Sequence, residues 1–537
     1  MQTNYDYIII GSGSAGAVIA NRLTASGQHS VLLLEAGPKD RYFWMNVPMA
    51  FMRTLQHGGF AWYDPSLATQ SVGGRTIAIT QGKTLGGGSS INGMLYVRGQ
   101  KEDFDDWRDA GCDGWGWDDV LPYFKKSENL ERGGSDEHHG RSGELKLSWV
   151  DDLPLTSRLS MQAMREFGLP FNEDVNSGYQ DGVGYLLATI HRGRRQSTAK
   201  AFLHPIRDKR RNLTILTDAH VRKIRIADGR ATGVDVATKK GERAFTARRE
   251  VILSAGAIGS PHILQHSGIG DAAHLKSVGV EPLVHSPLVG ENLQDHLFGH
   301  LKFRVASRRY SINHKLRSTP RMVVELAKWM VMGGGLLGTS SSHFCAFIKS
   351  DEALSRPDLQ LAMRPFSMLQ LKRGVTTDTF PGMMISAIQT RPYSRGNVRI
   401  LSSDPMQRAR VDMNYLSDDR DIATLIGGIR QIRRIANMPA LKDVVTEELD
   451  PGPGHVSDEE LAAYLRATAS TVAHPVGTVR MGGEGAPLDS RLKLRGVEGL
   501  RVADASVMPR ITSGNTNAPS IMIGEKAADL ILADVRN

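Results

Sequence analysis

Gly11-Ser12-Gly13-Ser14-Ala15-Gly16 fits the spacing G-x-G-x-x-G, and Glu35 lies 19 residues beyond Gly16. Each glycine has its own task in such a loop. The first makes a tight turn, the second lets the backbone approach a pyrophosphate, and the third lets a helix pack closely on a strand. The N-terminus of the following helix offers free N–H groups and the positive end of its dipole to phosphate. Glu35 is placed to accept hydrogen bonds from ribose hydroxyls and to repel a 2′-phosphate. The chemistry implied is dinucleotide binding, and the loop does not by itself choose between FAD and NAD.

The elements around it match. Tyr7-Ile8-Ile9-Ile10 is a β-branched run that predicts a buried strand, Ala15 to Ala25 predicts a helix stopped by Gly27, and Val31 to Leu34 predicts a second strand. Strand, glycine turn, helix and strand make a βαβ unit, which implies a parallel sheet covered on both faces. Further strands are expected at Leu213 to Thr217, Val221 to Ile226 and Val251 to Ser254, and helices at Asp421 to Ala436 and Asp458 to Ala467. The alternation over Gly396 to Leu401 suggests an antiparallel sheet. The fold class is mixed α/β, with domains interleaved along the chain.

Bulk properties narrow the function classes. The chain has 537 residues, more than one core usually supports. Its 66 basic and 57 acidic residues leave a mild excess of +9. Basic runs such as Arg207 to Arg211 lack interleaved aromatic residues, so they read as solvated faces rather than a nucleic-acid surface. Two cysteines, Cys112 and Cys345, make neither a disulfide framework nor a metal site. Met1 to Ile10 lacks a basic leader region, and the apolar stretch Met322 to Gly338 is interrupted by Glu325, Lys328 and the three glycines Gly333, Gly334 and Gly335, short of a membrane span. A cytoplasmic protein without a transmembrane segment is expected.

Two further glycine-rich stretches are Gly82-Lys83-Thr84-Leu85-Gly86-Gly87-Gly88-Ser89-Ser90-Ile91-Asn92 and Gly256 to Gly270. Near the C-terminus stand His474-Pro475-Val476-Gly477-Thr478, then Val502-Ala503-Asp504-Ala505-Ser506, then Asn515-Thr516-Asn517-Ala518-Pro519. Together and in this order they resemble the glucose–methanol–choline (GMC) oxidoreductases, in the choline-dehydrogenase-like and pyridoxine-oxidase-like branch. The resemblance implies a Rossmann-like FAD-binding domain over 1–155, 196–297 and 460–537. It implies a substrate domain on an antiparallel sheet with helices over 156–195 and 298–459. It also implies that Gly11, Gly13, Ser14, Gly16 and Glu35 hold the ADP half of FAD, with the Val221 backbone at the adenine. Gly87, Ser90, Asn92 and Gly93 are the second loop's cofactor residues, the last two near the isoalloxazine. Asp504 and Ala505 approach the pyrophosphate and ribityl chain, and Asn515 belongs to the same cofactor set. Some relatives attach FAD through a His just before the loop's Asn; that position is Ile91 here, so noncovalent FAD is expected.

The same resemblance makes His474 the general base and Asn517 its partner in oxidising a primary alcohol to the aldehyde, with hydride transfer to flavin N5. A neutral imidazole suits the proton step because its ordinary pKa lies near working pH. Pro475 favours an extended backbone at His474, as for a side chain presented from a loop. Ala473 stands where relatives often carry an aromatic residue, and His343 where choline-type relatives are expected to carry a carboxylate. Both point to a larger or aromatic alcohol rather than choline. The electron acceptor is O₂ or a quinone or other carrier, and the sequence leaves that choice and the oligomeric state open. The competing classes are a hydroxynitrile-lyase-like enzyme with structural FAD, a non-enzymatic flavin-binding protein and a plain NAD dehydrogenase; the second and third glycine loops disfavour the last.

Overall fold

A computed structural model describes residues 2–150, 153–370 and 374–536. Two seven-stranded sheets organise it. In the first, Asn4–Ile10 runs parallel to Val31–Leu34 on one side and to Gly241–Leu253 on the other. Leu213–Leu216 extends the parallel part beyond Val31–Leu34, and Leu500–Val502 joins Gly241–Leu253 near the C-terminus. The strands Ala219–Ala227 and Arg230–Thr238 add an antiparallel meander to the other edge. The central runs Ile8 to Ile10 and Val31 to Leu34 are buried along their whole length, as a sheet covered on both faces requires.

The second sheet is antiparallel. Leu297–Val305 is its hub, paired with Gly382–Gln389 and Val445–Asp450. Leu359–Arg364, Phe344–Ile348 and Gly182–Tyr185 continue it outward. The helix Asp419–Ala436 covers one face through Ile422, Leu425, Ile429 and Ile432. Each sheet carries its own hydrophobic core.

The alternation over Gly396 to Leu401 does form an antiparallel pair, a two-stranded ladder of Asn397–Arg399 with Arg410–Asp412 that is separate from the large antiparallel sheet. The change of domain expected at residue 460 falls later, since Leu461, Tyr464 and Leu465 pack in the second core and Ser470–Thr471 pairs with Leu297–Val305. The chain therefore crosses to the first core immediately before His474. No helix among the described residues is long and apolar enough to cross a membrane, and no group of His, Cys, Asp and Glu there could hold a metal ion.

Candidate functional site: a dinucleotide cradle and a histidine corner

The first glycine loop leaves the parallel strand Asn4–Ile10 and enters the helix Ser14–Leu23. Gly11 has φ +99°, and a Cβ there would lie 2.3 Å from the Ser254 carbonyl oxygen. A Cβ on Gly16 would lie 2.0 Å from the Gly11 carbonyl oxygen. Gly13 differs, because a Cβ there would meet nothing within 4 Å. The first and third glycines are thus fixed by the protein's own backbone, whereas the second faces open space, as a ligand-facing position should.

Glu35 is buried and tied to this loop. Its Oε2 accepts hydrogen bonds from the Ser12 hydroxyl at 2.6 Å and the Ser12 N–H at 3.2 Å, and its Oε1 accepts from the Gly37 N–H at 2.8 Å. A carboxylate has about four lone-pair sites, so room for about one ribose hydroxyl remains. Burial pushes its pKa up, against the pull of those donors and of Lys83. The Ala219 N–H donates to the Glu35 carbonyl at 2.9 Å, which brings Val221 to the same end of the sheet.

The second and third loops close on the first. A Cβ on Gly87 would lie 2.8 Å from Gly13 Cα. The Ser90 hydroxyl donates to the Leu85 carbonyl at 2.7 Å and holds that turn. Asp504 accepts from the Gly256 N–H at 2.8 Å, the Ser260 hydroxyl at 2.6 Å and the Ser506 N–H at 2.7 Å, joining the third loop to the C-terminal segment. The Ala505 carbonyl accepts from the Gly477 N–H at 3.2 Å. Pro261 lies inside the helix Gly256–His266 and cannot donate to the Ala257 carbonyl four residues back. The Thr478 hydroxyl supplies that donor at 2.6 Å, stitching the third loop to the segment that carries His474.

Asn92 Oδ1 accepts from the Met94 N–H at 3.0 Å and from Arg195 Nη1 at 2.7 Å, and the Gly93 carbonyl accepts from the Ser340 hydroxyl at 3.2 Å. Arg195 is buried and also donates to the carbonyls of Met45, Ser89 and Asn92. Burial lowers its pKa to about 9, and among the described residues no carboxylate pairs with it. Ile91 is buried in an apolar cluster with Met45 and Ala61.

His474 forms the other half. The strand Ser470–Thr471 ends just before it, and Ala473 turns the chain through φ +60°, a left-handed conformation costing a non-glycine residue about 1–2 kcal/mol. Asp295 offsets this strain. Its Oδ1 accepts from the N–H groups of His474 at 2.7 Å and His296 at 2.9 Å, while its Oδ2 accepts from the hydroxyls of Tyr415 and Thr471. Thr471 Oγ1 in turn accepts from the Ala473 N–H at 2.7 Å. Burial pushes the Asp295 pKa up to about 6 despite these donors.

The imidazole is oriented by a second one. His296 Nε2 lies 3.1 Å from the Thr390 carbonyl, and its Nδ1 lies 3.1 Å from His474 Nδ1. A carbonyl can only accept, so His296 carries its hydrogen on Nε2 and its Nδ1 is an acceptor. His474 must then donate from Nδ1, which leaves the lone pair on its Nε2. Asn515 Nδ2 points at that lone pair from 3.2 Å. Burial lowers the His474 pKa to about 4, and burial together with the neighbouring His474 holds His296 well below its ordinary value. His474 is therefore a neutral imidazole with a directed lone pair.

One expected pairing is corrected. Asn517 does not face His474; its Oδ1 accepts from the Ser14 hydroxyl at 2.7 Å. Asn517 opens the helix Asn517–Arg536, and Ser14 opens the helix Ser14–Leu23, so the bond ties two helix N-termini together at the first loop. Asn515, two residues earlier and still in the connecting loop, takes the place beside His474. Its Oδ1 is buried and has no hydrogen-bond partner among the described residues, an orphan acceptor suited to a bound group. His343 has its Nδ1 3.5 Å from the Ser157 hydroxyl, and its carbonyl accepts from the Leu186 N–H. Asp295, His296, Thr390 and Arg195 carried no motif signal. An adjacent Asp-His dipeptide was the one sequence cue to the first two.

The open Gly13, the two helix N-termini and the orphan Asn515 oxygen fit FAD lying from Glu35 to His474. Models of the GMC oxidoreductase family match residues 5–298 and 392–524. An alcohol dehydrogenase [acceptor] of Pseudomonas putida is 40% identical over 535 residues, covering 99% of this chain and 96% of the relative. An oxygen-dependent choline dehydrogenase of Vibrio vulnificus (strain YJ016) is 38% identical over 537 residues, covering 99% and 95%. The crystal structure of a pyridoxine 4-oxidase from Mesorbium loti superposes with a TM-score of 0.87 at 30% identity over 98% of both chains. The chain belongs to the GMC oxidoreductases, FAD-dependent enzymes that act on CH–OH donors.

Proposed function

We propose that the protein oxidises a primary alcohol to the aldehyde, with His474 as general base and Asn515 as the hydroxyl's second contact. Bound FAD supplies the hydride acceptor. The observation that carries the reading is the His474 lone pair, fixed on Nε2 by the chain Thr390–His296–His474 and aimed at Asn515 Nδ2. A substrate hydroxyl placed between them accepts from Asn515 Nδ2 and gives its proton to His474 Nε2. Loss of that proton raises electron density on the oxygen, which drives hydride off the same carbon.

Cofactor residues follow the same logic. The N-termini joined through Ser14 and Asn517 would hold the pyrophosphate, Glu35 would take a ribose hydroxyl, and Asn92, held by Arg195, would belong to the loop that receives the flavin. Ile91 offers no nucleophile, which supports dissociable FAD; acid precipitation should release all flavin to the supernatant, and flavin retained on the pellet would contradict it. Ala473, small and next to the base, supports an alcohol larger than choline. Anaerobic titration with a panel of aliphatic, aromatic and quaternary-ammonium alcohols, followed by flavin absorbance, tests both steps. Bleaching by a larger primary alcohol is expected. Flavin that stays oxidised with every alcohol would favour proton-moving lyase chemistry, and preferential bleaching by choline would reverse the substrate assignment.

A further inference from the structure

The helix Thr319–Met332 presents apolar side chains to solvent on the face turned away from the protein. Met322, Leu326 and Trp329 pack inward with Val47, Ala50 and Leu337. Opposite them, Val323 is 62% exposed, Val324 54%, Met330 52% and Val331 86%. At 100° per residue these four, with Ala327, span an arc of roughly 120°. Arg321 and Lys328 border that arc on one side. A helix with apolar residues on both faces and cations along one edge is under-buried by the fold it belongs to.

The charge along this segment is one-sided. Residues 307–332 contain Arg308, Arg309, Lys315, Arg317, Arg321 and Lys328 against one carboxylate, Glu325. Glu325 is taken up by the Leu336 N–H at 3.0 Å and by Lys328 at 3.4 Å. Beside the start of the helix, Arg308, Arg309, His314, Lys315 and Arg321 converge on a surface cleft of about 440 Å³. Phe43, 44% exposed, stands edge-on to Trp329 at 5.8 Å and continues the apolar rim.

We propose that this face docks the enzyme on an anionic lipid surface, with the apolar arc entering the acyl boundary and the cationic cleft taking lipid phosphate groups. A helix of this kind lies in the interface plane, buried by roughly 5–10 Å, without crossing the bilayer. A second copy of the chain is the poorer occupant, because a two-fold pairing through this helix would bring two net-cationic segments close together. The +9 charge of the whole chain acts in the same direction as the local cluster. The docked face is one layer from the second glycine loop: Trp329 Nε1 donates to the Gly193 carbonyl at 2.6 Å, and Arg195 two residues on holds Asn92. An apolar substrate or acceptor dissolved in the lipid would thus meet the protein beside its redox loop. The proposal stands independently of the alcohol assigned above.

Co-sedimentation of the flavin-loaded full-length protein with vesicles tests it. Binding is expected to phosphatidylcholine vesicles containing one-third phosphatidylglycerol, with little binding to phosphatidylcholine alone. The double variant V323E/V331E should weaken that binding ~10-fold or more, from lost apolar burial, and R309E/R321E by ~10-fold or more, from lost attraction. Flavin content and turnover with a soluble dye should stay at wild-type level in both variants. Wild-type protein left in the supernatant with both vesicles would overturn the proposal, as would V323E/V331E sedimenting like wild type. A wild-type dimer that V323E/V331E splits, with no vesicle capture, would assign the face to a second copy.

Discussion

Residues 11–37 build the nucleotide cradle from one continuous stretch of chain and mostly from backbone, whereas the corner around His474 gathers Asp295, His296, Thr390, Tyr415, Thr471 and Asn515 from separate segments and mostly through side chains. In the cradle, what matters is the absence of a side chain at Gly11 and Gly16. In the corner, it is which nitrogen carries a hydrogen. A backbone device tolerates no addition, and a side-chain relay tolerates no subtraction. Variants of the two regions should fail in different ways.

The largest effect belongs to the cradle. Gly16→Val sets a branched side chain where even a Cβ would lie 2.0 Å from the Gly11 carbonyl oxygen, so no flavin-loaded protein should be recovered. Gly13→Ala separates fold from ligand, since its Cβ has open space within the protein. That variant should keep a wild-type thermal midpoint for the apoprotein while its FAD affinity falls. A Gly13→Ala protein binding FAD like wild type would show that the cofactor does not pass over the second glycine.

Next comes the base. His474→Ala should retain FAD and the fold but slow anaerobic flavin reduction by ~10²–10⁴-fold, the usual worth of a positioned general base. Rapid-mixing measurements at saturating alcohol read this directly, and near-normal reduction would remove His474 from the chemistry.

The asparagines sharpen the comparison because they sit two residues apart and serve different regions. Asn515→Ala should slow flavin reduction by ~10-fold or more through loss of the hydroxyl contact. Asn517→Ala should leave the reduction rate nearly intact and cost about 1 kcal/mol of stability or cofactor affinity through its lost bond to Ser14. The opposite ranking would return the catalytic pairing to Asn517.

This pair also marks the limit of what could be read from the sequence. The fold of the cradle was legible because its constraints are local: glycine spacing, a β-branched strand and a carboxylate at a fixed distance. The role proposed for His474 rests on the resemblance, and the partner proposed for it moves from Asn517 to Asn515 because two residues is less than a helical turn. At that distance the helix start decides which side chain faces the loop and which faces Ser14. Asp295 and His296 left only a dipeptide cue, for a related reason. Their work depends on Thr390, Tyr415 and Thr471, brought close by the antiparallel sheet, and nothing in their local sequence encodes those neighbours. The boundary at 460 failed similarly, since a strand of two residues, Ser470–Thr471, decides which core that segment joins.

The smallest effect is a pH profile, and it separates the two acids of the corner. A histidine whose folded pKa is lowered from 6.5 to about 4 stays neutral through 6.5 and takes a proton only below about 4. The unfolded chain takes that proton at 6.5, so His474 contributes stability at neutral pH that is lost as pH falls from 6.5 towards 4. Flavin reduction should accordingly show no acid limb at 6.5. Asp295 has the opposite shift and gains a proton below about 6, which weakens its hold on the His474 and His296 N–H groups. A shallow decline beginning near pH 6 is expected in the wild type. Asp295→Asn should react more slowly but lose that decline, because its amide does not titrate. A wild-type limb centred on 6.5 that survives in Asp295→Asn would mean that His474 titrates as an ordinary imidazole and that burial does not set its pKa.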